Sequence, residues 1–79
     1  MARVEIEFTV EPFAVGEPGP HVQAAIAAAR TAGFDPEIGP FGTMLRAEMK
    51  PGADVVSAVV AAAMAAGAER LSVTITAID

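Results

Sequence analysis

An α+β fold of order β-α-β-β-α-β is predicted by three features of the sequence. The chain opens and closes on period-two alternation, in Arg3–Val10 and again in Leu71–Ala77, the pattern of half-buried strands. Two alanine-rich stretches, residues 21–32 and 53–66, place apolar residues at helical spacing. At the centre, Gly39-Pro40-Phe41-Gly42-Thr43 stops one extended run and begins another, which is a hairpin signal.

The first strand, Arg3 to Val10, sets Val4, Ile6, Phe8 and Val10 on one face and Glu5, Glu7 and Thr9 on the other. A polar second face means that helices cover only one side of the sheet. Glu11 to Pro20 is a loop punctuated by Pro12, Gly16, Pro18, Gly19 and Pro20. It is long for so small a chain, so it is read either as a plain bridge or as a functional loop. His21 to Ala32 is helical, with the stripe Val22, Ala25, Ile26 and Ala29; Pro20 suits the first turn and Gly33 the stop.

Phe34 to Gly39 is a weak strand, and Pro36 and Pro40 assign it to a sheet edge because neither donates to a ladder. Thr43 to Met49 is the third strand, ended by Lys50-Pro51-Gly52. The second helix is expected from about Ala53 to Ala66, on the stripe Val56, Val59, Val60, Ala63 and Met64, with Asp54 in its first turn. Gly67 ends it. In the last strand Leu71, Val73, Ile75 and Ala77 alternate with Ser72, Thr74 and Thr76.

Ala32-Gly33-Phe34 and Ala66-Gly67-Ala68 are matching helix-to-strand corners 34 residues apart, so the chain reads as two similar halves. Right-handed crossovers then favour the ferredoxin-like arrangement, a four-stranded antiparallel sheet of order 4-1-3-2 with two helices on one face. That arrangement brings three corners to one end: the Glu11–Pro20 loop, the Gly39–Thr43 hairpin and the Gly67–Glu69 turn. A pocket there would have Phe13 and Phe41 as apolar surface and Thr43 as a hydroxyl partner. The open sheet face is expected to be solvated, with Glu–Arg pairs across strands, or partly buried against a ligand or subunit. The last strand is a free edge without proline or lysine, and it is expected to pair with a second copy.

Totals narrow the function. Residues 1–79 make one domain with a modest core, which oligomerisation commonly supplements. No cysteine means no disulfide, thiolate metal site or thiol nucleophile, and His21 alone makes no multi-histidine metal site. A net charge of −5 with five basic residues argues against a nucleic-acid surface. The N-terminus has no signal-peptide core, and the uncharged run Val55–Ala68 is too short to span a bilayer, so a cytoplasmic protein is expected. There is no Ser-His-Asp spacing, metal cluster or phosphate loop; no metal, no cofactor and no enzyme are expected, with His21 a cap or surface residue. RNA-recognition, metal-chaperone and acylphosphatase versions of the same topology are set aside in turn. The first needs sheet aromatics, the second Cys-x-x-Cys and the third an asparagine, and the chain supplies none of these where required.

Several segments together resemble the small thiamine-binding protein family, the YkoF-like group. They are Val10-Glu11-Pro12-Phe13, Gly19-Pro20-His21-Val22-Gln23-Ala24-Ala25-Ile26, Gly33, Gly39-Pro40-Phe41-Gly42-Thr43 and Ala66-Gly67-Ala68-Glu69-Arg70. The resemblance implies dimers or tetramers that bind thiamine or its hydroxymethylpyrimidine part without catalysis. It makes Thr43 and the Gly42 backbone the first polar contacts, Phe41 and Phe13 the apolar walls, and Glu11 and Glu48 partners for the cation or the exocyclic amine. The chain departs from the family in its third strand, with Arg46-Ala47 where Glu-Gly is expected. Two alternatives are a regulatory module for another metabolite, such as an amino acid, and a structural oligomerisation domain.

Overall fold

The computed structural model describes residues 2–12, 19–39 and 42–78. Six elements follow the expected order: β1 (Arg3–Glu11), α1 (Pro20–Thr31), β2 (Glu37–Ile38), β3 (Thr43–Glu48), α2 (Met49–Ala65) and β4 (Arg70–Ala77). The strands form one sheet of order β2-β3-β1-β4, antiparallel at every junction, which is the expected 4-1-3-2 read from its other edge.

β1 is central because its alternation gives it a complete apolar face. Val4, Ile6, Phe8 and Val10 are all buried, and Ile6 is 1% exposed. Register carries that face onto β3, where Ala47, Leu45 and Thr43 stand opposite Val4, Ile6 and Phe8. The helices pack against each other over this face. Ala25 and Ala29 of α1 and Ala63 of α2 are wholly buried. Small residues at these positions let backbones approach closely.

Both helices end in the same Schellman motif. Gly33 has φ of 94°, with Gly33 N donating to Arg30 O and Phe34 N to Ala29 O. Gly67 has φ of 102°, with Gly67 N donating to Met64 O and Ala68 N to Ala63 O. Left-handed backbone at these corners is why glycine stands there.

Four local expectations are corrected. α2 starts at Met49, so Lys50-Pro51-Gly52 lies inside its first turn instead of ending the third strand. Proline is tolerated there because the first-turn N–H groups have no intrahelical partner. Glycine fits closely next, since a Cβ at Gly52 would lie 3.1 Å from Val4 Cγ2 and 3.2 Å from Ile6 Cδ1 and would crowd both. Asp54 is accordingly beyond the first turn and faces Lys50 one turn earlier, Nζ to Oδ2 3.6 Å.

The buried stripe of α2 is therefore Gly52, Val55, Val59 and Ala63, with Val56 half-buried. Val60 and Met64, expected inside, are 38% and 48% exposed. β2 is only two residues long. Pro36 is buried and Phe34 packs against the core, so the chain arrives at the sheet late. At the opposite edge, β4 sends Leu71 and Val73 toward the core but leaves Ile75 54% exposed.

Candidate functional site

Two tethers gather the chain at the end of β1, and a third bond closes the β2–β3 hairpin. Glu69 N donates to Glu11 O at 2.8 Å, fastening the α2–β4 turn to the strand. His21 Nε2 lies 2.6 Å from Pro12 O. The carbonyl accepts, so the ring carries its proton on Nε2, and the start of α1 is tied across the loop to Pro12. The same ring covers Gly19, where a Cβ would stand 2.8 Å from His21 Cε1. Gly39 N donates to Gly42 O at 2.8 Å, bracketing residues 40 and 41 at the β2–β3 junction.

Register then assigns faces. Gly42 lies against the open side of β1, where a Cβ would come within 3.2 Å of both Phe8 O and Thr9 Oγ1. A side chain at 42 would crowd these atoms and Glu7 Cγ at 3.7 Å, so glycine keeps the hairpin close against β1. Thr43 pairs with Phe8, points to the helix side and is 4% exposed. Gly42 and Thr43 thus serve opposite faces of the sheet. Glu11 is on the open face opposite Arg70, Nε to Oε2 3.5 Å.

Of the residues expected at the site, Glu11, Gly42 and Thr43 share this end. Glu48 does not: it pairs with Arg3 at the far end of β3, five positions from Thr43 and therefore about 17 Å along the strand. Phe13 and Phe41 lie outside the described residues, as does most of the Glu11–Pro20 loop. Arg46, the departure noted in the third strand, pairs with Glu5, its Nη2 and Nε both 3.2 Å from Oε2. It sits three positions from Thr43, roughly 10 Å away, and its charge is answered. Ala47 faces the helices, 4% exposed.

Sequence reasoning passed over Arg70 and the tethering role of His21. The signal for Arg70 was present, since an acid ends β1 and a base begins β4, and antiparallel neighbours bring such ends together. His21 gave less warning, because only the folded loop ends reveal Pro12 as its partner.

A shallow gap with no room for a water molecule lies between α2 and the sheet, lined by apolar side chains including Ile6, Phe8, Val56 and Val73. With no polar group to orient a ligand, it is a packing gap and unlike a metabolite site. Among the described residues no cluster of His, Cys, Asp and Glu is arranged to hold a metal, and no helix is long and apolar enough to cross a membrane.

A family model described as thiamine-binding protein matches residues 6–79. Among solved structures, a domain of unknown function DUF77 from Bacillus cereus is 29% identical with a TM-score of 0.70, over 98% of this chain and 75% of that one. A hypothetical protein from Methanocaldococcus jannascii has the same TM-score at 16% identity, over 100% of this chain and 81% of that one. A Thermotoga maritima protein provisionally described as acting in thiamine biosynthesis or salvage is 17% identical with a TM-score of 0.56, over 98% of this chain and 83% of that one. The last two likenesses establish the fold alone. No curated protein matches the chain.

Proposed function

On the footing that the chain belongs to the thiamine-binding protein family, we propose that it is a non-catalytic carrier or buffer of thiamine or its hydroxymethylpyrimidine part. The observation that carries this is the family match over residues 6–79, reinforced by the two tethers that hold Glu69 and the start of α1 at the end of β1. Thiamine offers an aminopyrimidine for stacking and hydrogen bonding and a cationic thiazolium that an acidic chain attracts.

In this reading residues 1–79 act as one unit. The Gly42 backbone meets the pyrimidine, Phe41 and Phe13 supply its apolar walls, and Glu11 answers the cation. Thr43, buried on the helix side, anchors the hairpin from behind and makes no contact with the ligand. Glu48 is left out, because it is too far along β3 to share a ligand with Glu11.

The working form is a cytoplasmic homo-oligomer joined through β4. The supporting observations are an eight-residue edge strand without proline or lysine and an Ile75 side chain more than half exposed. Sedimentation showing only monomer at micromolar concentration would remove the oligomer.

Calorimetry with thiamine and with hydroxymethylpyrimidine tests the ligand. Saturable heat and a raised melting temperature are expected with at least one of them. Silence in both measurements at millimolar ligand removes the proposal. Gly42→Ala supplies the local test. Its added methyl must push on Phe8 O and Thr9 Oγ1, so binding should fall more than tenfold while the fold survives.

A further inference from the structure

We infer that Arg70 is a specificity-determining residue: an internal cation that occupies Glu11 and must yield it before a positively charged ligand can bind. The inference rests on the reading above, in which Glu11 is the site's anion. It adds that this anion is already partly answered by the chain itself, so the site favours a neutral ring over a cationic one.

The geometry distinguishes this pair from the other cross-strand ion pair on the same sheet face. Arg46 reaches Glu5 with two nitrogens, each 3.2 Å from Oε2, and the Nε contact is a hydrogen bond. It lies in the body of the β1–β3 ladder, with Glu5 only 34% exposed. Such a pair is held in place. Arg70 approaches Glu11 with Nε at 3.5 Å, beyond the usual hydrogen-bond range, and the two side chains are 74% and 44% exposed. A long contact between side chains this exposed is weak and easily exchanged.

Position supplies the rest. Glu11 and Arg70 are the last cross-strand pair of the β1–β4 ladder, and the row two positions back is Thr9 opposite Ser72. Thr9 is the residue against which Gly42 is pressed. A ring held at the Gly42 end of the sheet is thus about 7 Å along β1 from the level of Glu11. A cation attached to that ring reaches the carboxylate that Arg70 now faces. Two cations cannot both be neutralised by one carboxylate, so the ligand's charge competes with Arg70. A neutral pyrimidine has no such competitor.

The pair's backbone is secured independently of its side chains, since Glu69 N holds Glu11 O. Arg70 therefore can be changed without dismantling the corner. The experiment is titration calorimetry of wild type, Arg70→Gln, Glu11→Gln and the double variant with thiamine, which is cationic, and with neutral hydroxymethylpyrimidine. Melting temperatures are recorded alongside.

Arg70→Gln should tighten thiamine roughly two- to fivefold, the range that release of an exposed ion pair allows, and leave hydroxymethylpyrimidine unchanged. Glu11→Gln should weaken thiamine, and in that background Arg70→Gln should have no further effect. Thiamine binding by Arg70→Gln but not by wild type is the strong form of the same result. Unchanged or weaker thiamine binding in Arg70→Gln overturns the inference, as does equal tightening of both ligands. In both cases wild-type binding shows the function to stand without it. If neither ligand binds any of the four proteins, the function fails and takes the inference with it.

Discussion

The two halves of the chain end their helices identically and then diverge. After α1, Gly33 at φ 94° hands the chain to Phe34, Asp35 and Pro36, and only two residues reach the sheet as β2. After α2, Gly67 at φ 102° hands it to Ala68 and Glu69, and eight residues follow as β4. Thirty-four residues separate these corners, and the repeat extends inward to the wholly buried Ala29 and Ala63. The helix-to-strand corner is therefore a conserved piece of geometry between the halves, while the edge it leads to is set by what comes next. Pro36 shortens one edge, and nothing shortens the other. One blunt edge and one open edge allow a closed pair of copies but no growing sheet.

The largest expected effect tests whether the halves are equivalent inside. Ala29→Leu and Ala63→Leu each force extra volume into a position with no exposure. Each should lower unfolding free energy by about 1–3 kcal/mol in urea titrations, and by similar amounts. A twofold difference would break the equivalence and show that one helix carries the packing.

Next come the corners. Gly33→Ala and Gly67→Ala meet no atom within 4 Å, so the whole cost is the left-handed backbone, about 1–2 kcal/mol each by thermal unfolding. Equal losses sharpen the comparison. A smaller loss at Gly33 would mean that the short β2 lets its corner relax.

The edges should differ where the corners agree. If copies pair through β4 as proposed, Ile75→Lys should raise the dissociation constant of that pair about tenfold by sedimentation, from lost apolar burial. Ile38→Lys on β2, a residue 59% exposed, should leave it unchanged. Sensitivity at Ile38 would move the interface to the other edge. Arg70→Gln, with its several-fold change in thiamine affinity alone, is the smallest of the set.

Much of this arrangement was legible in the residues. Alternation in β1 and β4, the stripe on α1, the glycine corners and the prolines beside β2 are local signals, and each depends on neighbours a few positions away. The order of strands followed from them, because short right-handed crossovers leave few ways to join such elements. The start and rotation of α2 were not legible. Pro51 and Gly52 look like a turn, and valines at 55, 56, 59 and 60 make the helix apolar on several sides. Only the space beneath Gly52 selects which side faces Val4 and Ile6.

The candidate site divides in the same way. Its end of the sheet was determined by the sequence, since turn residues mark the corners and topology gathers them. Which faces its side chains serve was decided by the tertiary structure. Gly42 and Thr43 are adjacent in the chain, yet the pleat turns them to opposite sides, and Glu48 is carried to the far end by the same strand. Arg70 meets Glu11 across 59 residues because β4 returns antiparallel beside β1. Local pattern determines what a segment becomes. Pairings between distant strands depend on how the finished layers close, and no stretch of sequence holds that information by itself.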